Sequence, residues 1–596
     1  MTDSEDSVIV QPVDQRSQPS LVSSIKHRLL TKEGWLGDYD YLYLFTPRIP
    51  FLSRKQKPGP FFGLNDKMPT LLAFILGFQH SLAMLAGIIS PPLILAGSAG
   101  ANLDTAGQQY LVSASLICCG ILSIIQITRF QIYKTPYYIG TGLVSVVGTS
   151  FAIIPVATGA FSQMYSNGFC PLAEDGTKLP CPDGYGALIA TACICSLFEI
   201  LLSFTPPRIL QKVFPPMVTG PTVLLIGLHL IETGFQNWAG GTGSCMSRPE
   251  TGLYALCPTI DSPHALSWGS AQFIGLGFSV FVTIIICEKW GSPIMQSCAV
   301  IVGLIVGCII AAACGYFDRS TIDVAPVATF IWTHTFKLRL YGPMVLPMLA
   351  VYFTLMMESI GDITATCDVS RIEVEGKTYD SRIQGGVLAD GLNGMLAGLM
   401  TMTPMSTFSQ NNGVISLTKC ANRTVGYFCC FFLIIMGIFS KFAAALVAIP
   451  ASVLGGMTTF LFCAVCVSGL RIMSAVHWNR RNRFVLTAAL SVGVGSILVP
   501  DWFSYFFTYS GTNHALAGFF DAITLIMETG FALGGFIALI LNLLISDEND
   551  SFLAVEAFEI EALDFPSSSN DETDSVPPNN NAFNNNRSVD EKQVRL

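Results

Sequence analysis

The chain has 596 residues, of which 51% are hydrophobic and only 12% charged, about half the ~25% charged content of soluble globular chains. With a mean hydropathy of +0.54 it cannot make the charged surface that soluble domains need, so composition excludes them and points to a polytopic membrane protein. The net charge of -9 is local: residues 546–596 hold twelve acidic and three basic side chains, and the rest is balanced at 29 of each.

In chain order, residues 1–67 read as a polar, basic, cytosolic N-terminal tail. The first apolar run starts only near Pro69, too late for a secretory signal. Apolar stretches of roughly 20 residues then recur, enough to cross a hydrocarbon core of ~30 Å. The predicted spans are 70–97, 108–128, 137–158, 185–204, 213–231, 269–287, 293–314, 343–366, 385–401, 403–418, 424–440, 442–470, 484–499 and 520–545. Frequent Gly and Pro within them favour helices over a barrel, so the expected fold class is an all-α polytopic membrane protein. The third span is Gly-rich and the tenth contains Pro404 and a polar run, which makes both irregular. Residues 546–596, acidic and rich in Ser, Asn and Pro, read as a disordered cytosolic tail.

Orientation follows from the basic residues. With both termini inside, the inner loops hold fourteen Lys and Arg, among them Arg129, Arg382 and Arg423, and the outer loops hold six, the asymmetry the positive-inside rule requires. Most of the eighteen Cys lie in apolar runs and read as small core residues. Cys170 and Cys181 share one polar loop, and Cys245 and Cys257 another. If those loops are extracellular, each pair either closes a short disulfide or stays reduced. No Cys or His spacing suits a metal.

Fourteen spans divide into seven and seven, over 68–314 and 343–545. Odd halves have opposite orientations, so these would be inverted repeats, with a site near the midplane between broken segments. Spans 3 and 10 correspond under that relation. Spans 1 and 8 also correspond, and each carries polar residues midway: Gln79 and His80 in one, Glu358 and Asp362 in the other.

Ionisable groups at membrane depth are costly and are functional candidates by default. Glu358 and Asp362 sit four apart in LMMESIGDITAT, on one helix face, where two carboxylates cannot both ionise cheaply. A proton that comes and goes there suits a proton-coupled carrier. Asp390, among small residues in GGVLADGLNGML, serves either a coupling network or the bracing of span 10. Glu199, Glu232, Asp521 and Glu528 read as structural, and His80 first as a satisfied core residue. The sharpest local feature is Phe408-Ser409-Gln410-Asn411-Asn412-Gly413. Three consecutive amides cannot face lipid, and irregular backbone is tolerated at that depth only when buried or lining a cavity. A Gln amide offers a donor and an acceptor in one plane, which matches a purine edge, and Phe408 offers a face for stacking. A polar packing seam is the alternative reading.

The run Gln410 to Lys419, QNNGVISLTK, resembles the signature [Q/E/P]-N-x-G-x-x-x-x-T-[R/K/G] of the nucleobase–ascorbate transporter family. Gln79-His80 is similar to that family's first-span motif, and Glu358, Asp362 and Asp390 stand at its acidic positions. DYDY at 38–41, QMYSNGFC at 163–170 and ESIGDITATCDVSR at 358–371 are near matches to fungal members. The resemblance covers about residues 28–545. It implies a core domain of spans 1–4 and 8–11, a gate domain of spans 5–7 and 12–14, a homodimer, elevator-like movement and proton symport. It implies import of purines, uric acid and xanthine foremost, across the plasma membrane, with no cofactor beyond the coupling proton and no nucleic-acid partner. By the same resemblance Glu358 and Gln410 hold the purine, with Phe151, Ser409 and Phe408 assisting. Asp362, Asp390, Asn411, Thr418 and His80 serve coupling or support, and Arg483 serves gating. A channel or non-transporting sensor on the same fold is the competing class, although the polar residues concentrate at one depth rather than forming a stripe. Neither a nucleophile–base set nor a nucleotide loop is present, so an enzyme is not expected. Asp38-Tyr39-Asp40-Tyr41, ahead of the first span, reads as a trafficking or docking element or as simple packing on the membrane face.

Overall fold

The computed structural model describes residues 31–48, 60–174, 176–206, 209–210, 213–260, 262, 264–474, 476–507 and 514–545. The start of the N-terminal tail, the inner-loop cations Arg208 and Lys212, and the acidic segment 546–596 lie outside them.

The first half comprises α1 (Thr70–Ala96), α2 (Thr105–Ile127), β1 (Val147–Thr149), α3 (Ile153–Ser166), α4 (Pro182–Leu202), α5 (Pro216–Trp238), α6 (Ala271–Trp290) and α7 (Ala299–Ala313). The second comprises α8 (Gly342–Val369), α9 (Lys377–Leu399), β2 (Met405–Thr407), α10 (Gln410–Thr418), α11 (Arg423–Ile438), α12 (Ser440–Val447), α13 (Ala451–Ser474), α14 (Arg480–Leu498), α15 (His514–Glu528) and α16 (Gly530–Leu544). Among the described residues, α1, α2, α4, α5, α6, α8 and α13 are long and apolar enough to cross a membrane. Counting two bent pairs as single spans makes nine.

Three departures from the expected spans have local causes. Segments 137–158 and 403–418 are each a strand followed by a short helix, so the protein is mostly helical rather than all-α. A further two-residue ladder joins Phe130–Gln131 to Tyr138–Ile139. The expected span 442–470 is interrupted before Pro450, whose ring and missing N–H end a helix. Residues 440–447 instead form α12, bent 78° from α11. Segment 520–545 turns by 83° between Gly518–Glu528 and α16.

Caps set several starts. The Asp104 side chain accepts from Gly107 N at 3.1 Å ahead of α2, and Asn422 accepts from Thr424 N at 3.0 Å ahead of α11, each meeting an orphan donor of the first turn. Within α1, Pro92 has no N–H for the Ile88 carbonyl. The Thr149 hydroxyl of β1 donates to that carbonyl at 2.9 Å, satisfying a group that lipid could not and fixing β1 against α1.

Helices α1, α2 and α11 pack together, as do α4, α8 and α9, while α5, α6, α7, α13, α14 and α16 form a further group. The α5–α13 contact is the most extensive of the described helix pairs. Gly220, Gly227 and Gly234 recur every seven residues along α5. A Cβ on Gly227 would lie 2.6 Å from Cys466 N, and one on Gly469 would lie 2.5 Å from Leu224 N, so only glycine lets these backbones approach. On the tail side, Leu44 of the Tyr41–Phe45 turn is buried against Leu72, Leu76 and Val425, with Tyr39 and Tyr41 packed beside it. The structure also pairs Cys170 with Cys181 and Cys245 with Cys257, with S–S distances of 2.04 and 2.00 Å.

Candidate functional site

The two irregular segments meet. β1 and β2 pair antiparallel, with Val147 opposite Thr407, Gly148 opposite Ser406 and Thr149 opposite Met405. Each strand turns straight into a helix, so the N-termini of α3 and α10 both start at the ladder and carry partial positive charge there. The ladder satisfies backbone that broken helices would leave unpaired at membrane depth.

Two aromatic rings stand at the crossing. Phe151 and Phe408 are 6.2 Å apart between centroids and 5° from parallel. Phe462 of α13 meets Phe151 edge-on at 5.7 Å. The Phe408 ring presses on Gly148, and a Cβ on Gly87 would lie 3.0 Å from it; that is why glycines face it from β1 and α1.

Asn411 ties the segments together. Its amide nitrogen donates to the Val146 carbonyl at 3.0 Å and to the Phe408 carbonyl at 2.8 Å. Its oxygen lies 2.8 Å from His80 Nε2 of α1, a ring that is 2% exposed. Asn412 Oδ1 is 2.7 Å from the Thr366 hydroxyl of α8. Thus the Asn411 amide and the Asn412 side-chain oxygen are engaged by internal bonds, whereas among the described residues the Gln410 amide has none.

The acids form a graded set. Asp390 is buried and accepts from Ser359 Oγ at 2.6 Å, Ser406 Oγ at 2.8 Å and Thr407 N at 3.2 Å. It thereby clamps α9 to α8 and to β2. Among the described residues, the Asp362 carboxylate accepts from Thr407 Oγ1 alone, at 3.3 Å. Among the described residues, the Glu358 carboxylate and the Gln410 amide make no hydrogen bond to the protein. Both are half-buried, Ser409 is exposed, and Gly361 and Gly413 face open space. Glu358, Ser409 and Gln410 therefore present unused polar groups beside two aromatic rings, which is what a flat, polar-edged ligand requires.

The Permease family model, Xan_ur_permease, matches residues 72–502. The chain belongs to this family. A purine permease of Emericella nidulans is 64% identical over 532 residues, covering 89% of this chain and 91% of its own length. The uric acid–xanthine permease of the same organism is 57% identical over 563 residues, or 94% and 96% of the two chains. The xanthine permease XanQ of Escherichia coli is 29% identical over 489 residues, or 81% and 93%. The permease is thus a multi-pass membrane protein of a transporter family.

The permease separates the remaining sequence-predicted residues. Thr418, eight residues past Gln410, bonds its own helix through Val414 O at 2.8 Å and supports α10 from its far end. Arg483 is exposed at the start of α14, a helix that packs on α5 and α16, and is not drawn into the cluster. Glu199 of α4, by contrast, is 0% exposed. It lies on the side of α4 that faces Asp390 of α9, and among the described residues neither of its carboxylate oxygens has a hydrogen-bond partner. Among the described residues, the Tyr352 hydroxyl and both amide atoms of Asn393 are likewise buried without partners. Sequence reading took Glu199 as structural. The signal that marks it is Gly391, where a Cβ would lie 3.3 Å from Glu199 Cγ, and nothing in one sequence says that Gly391 faces α4.

Proposed function

We propose that the permease is a proton-coupled symporter that imports purines, uric acid and xanthine foremost, across the plasma membrane. The observation that carries this reading is the pair Glu358 and Gln410, both free of internal hydrogen bonds beside the Phe151–Phe408 rings. Purine N–H groups suit the carboxylate, and an amide both gives and takes a hydrogen bond along a purine edge. The names of the relatives, purine permease and uric acid–xanthine permease, support the same substrate class.

In this mechanism Glu358 accepts from the purine, Gln410 bonds its edge, and backbone near Phe151 and Ser409 assists. Asp390 holds α8, α9 and β2 in register, with Glu199 buried behind it. Asp362 carries the coupling proton: it has one long donor, and its neutral form removes repulsion from Glu358 one turn away. The group of α1–α4 and α8–α11 acts as the core and moves past the gate helices as an elevator, within a homodimer whose termini are cytosolic. Fourteen crossings in two inverted halves, at 68–314 and 343–545, belong to this reading, as do gating by Arg483 and a non-enzymatic role with no cofactor but the proton.

The test is uptake of radiolabelled xanthine by a host lacking purine uptake, with and without a protonophore. Accumulation that the protonophore abolishes is expected. Accumulation indifferent to it ends the proton-coupled reading, and no uptake of any purine ends the substrate assignment.

A further inference from the structure

Three inner-loop cations converge on one turn, Gly140-Thr141-Gly142, which feeds β1. Arg129 follows α2, Arg382 lies in the second turn of α9, and Arg423 opens α11. Arg382 Nη1 donates to the Thr141 carbonyl at 2.7 Å, and Arg423 Nε donates to the Gly142 carbonyl at 2.6 Å. Arg129 donates to Ser381 Oγ and lies 4.1 Å over the Tyr138 ring. Gly142 has φ +71, and a Cβ there would lie 2.9 Å from Arg423 Nη2, 3.1 Å from Arg129 Cβ and 3.4 Å from Arg382 Nη1. Three guanidinium side chains thus surround one glycine.

Among the described residues, none of the three has a carboxylate within 4.0 Å. Arg382 is only 7% exposed, with Arg129 and Arg423 as the charges acting on it. The Nε–H groups of Arg129 and Arg382 are buried and have no acceptor among the described residues. Carbonyl oxygens serve some of the N–H groups but neutralise no charge, and a charge withdrawn from water unpaired is strongly unfavourable. A multi-oxygen anion supplies what is missing, and guanidinium forks match phosphate in particular. The neighbouring surface carries Phe130 at 51% and Tyr133 at 82% exposure, aromatic residues of the kind found at headgroup level.

We propose that Arg129, Arg382 and Arg423 form a binding site for a phosphate group, borne by an anionic phospholipid or by free phosphate, at the inner end of the site module. Such an anion joins the turn before β1, the helix that carries Asp390, and the segment that follows Gln410. It therefore stiffens the module whichever solute the permease carries, and the proposal stands apart from the purine reading.

The test uses the full chain, purified in detergent, with Arg129→Gln, Arg423→Gln and the charge-keeping Arg129→Lys. In one arm, native mass spectrometry reads retained phosphatidylinositol and phosphatidylserine. In the other, the melting temperature of delipidated protein is followed as inorganic phosphate is titrated at constant ionic strength with chloride. A lipid ligand predicts retained anionic phospholipid, weakened on the order of tenfold per Gln variant and less in Arg129→Lys. Free phosphate predicts a saturable rise in melting temperature that chloride does not give and that both Gln variants lose. Wild-type protein that retains no anionic lipid and shows no phosphate-specific shift overturns the site, as does retention equal in wild type and both Gln variants. Arg382 is left unchanged because its burial makes folding itself depend on it.

Discussion

Along the α5–α13 seam, glycines at 220, 227 and 234 let two helix backbones touch, with hardly a polar side chain involved. At the β1–β2 crossing the backbones are just as close, but strand hydrogen bonds, Asn411 and the donors of Asp390 hold them. Lipid tails are as apolar as leucine, so burial alone cannot join helices in a membrane. One region relies on van der Waals contact between backbones. The other relies on polar groups that have no water to bond to instead. The first tolerates no added atom, whereas the second tolerates none removed, and it leaves over only the groups available to a ligand.

The strongest way to break this comparison is at the seam. Gly227→Leu forces a side chain into the backbone at Cys466 and should cost about 3 kcal/mol or more. Folded protein, measured as a monodisperse peak of a fluorescent fusion, should all but vanish, while Gly275→Leu, where a Cβ meets nothing within 4 Å, should leave it intact. Equal recovery of the two would mean that close approach is not what holds α5 to α13.

At the crossing, Asp362→Asn should preserve xanthine binding and abolish accumulation against a gradient, because it imitates the protonated state permanently. Binding by scintillation proximity and accumulation in vesicles with an imposed pH gradient separate the two. Continued concentration of xanthine removes Asp362 as the coupling group.

Gln410→Ala should weaken binding by about 1–3 kcal/mol, the cost of leaving a buried polar partner unpaired, with the protein still reaching the surface. Surface-normalised uptake within twofold of wild type contradicts that role. Asn411→Ala sharpens the contrast: it removes the tie between Val146 and Phe408 and should lower the melting temperature, which Gln410→Ala should not.

The smallest effect belongs to the tail. Tyr39 and Tyr41 pack over the Leu44–Leu72–Val425 cluster, far from the rings. Alanine at Asp38, Tyr39, Asp40 and Tyr41 together should reduce surface delivery and leave the ranking of purines in competition assays unchanged. A changed ranking at normal surface level would connect this patch to the site.

Much of the site was legible in the order of residues. Three amides at 410–412 cannot face lipid, and Pro404 and the glycines near 140–148 exclude regular helix, so a broken, polar pair of segments follows from hydrogen-bond chemistry. Which amide stays free does not follow, because all three have the same groups. It is settled by Val146, Phe408, His80 and Thr366, which reach Asn411 and Asn412 from other elements. Glu199 shows the same limit, since its distance from Asp390 depends on how α4 packs on α9.

What the sequence by itself determined is the solvent and its consequences: a chain with 12% charged residues must place its spans in lipid and bury whatever polar groups those spans contain. Hydropathy and charge are properties of each residue, so they survive any arrangement of the helices. What only the tertiary structure decided is which groups are left unpaired among the described residues: Glu358 and Gln410 beside the rings, and three arginines without an acid around Gly142. Pairing is a property of neighbours, and in this protein some decisive neighbours, such as His80 and Asn411, lie hundreds of residues apart in the chain.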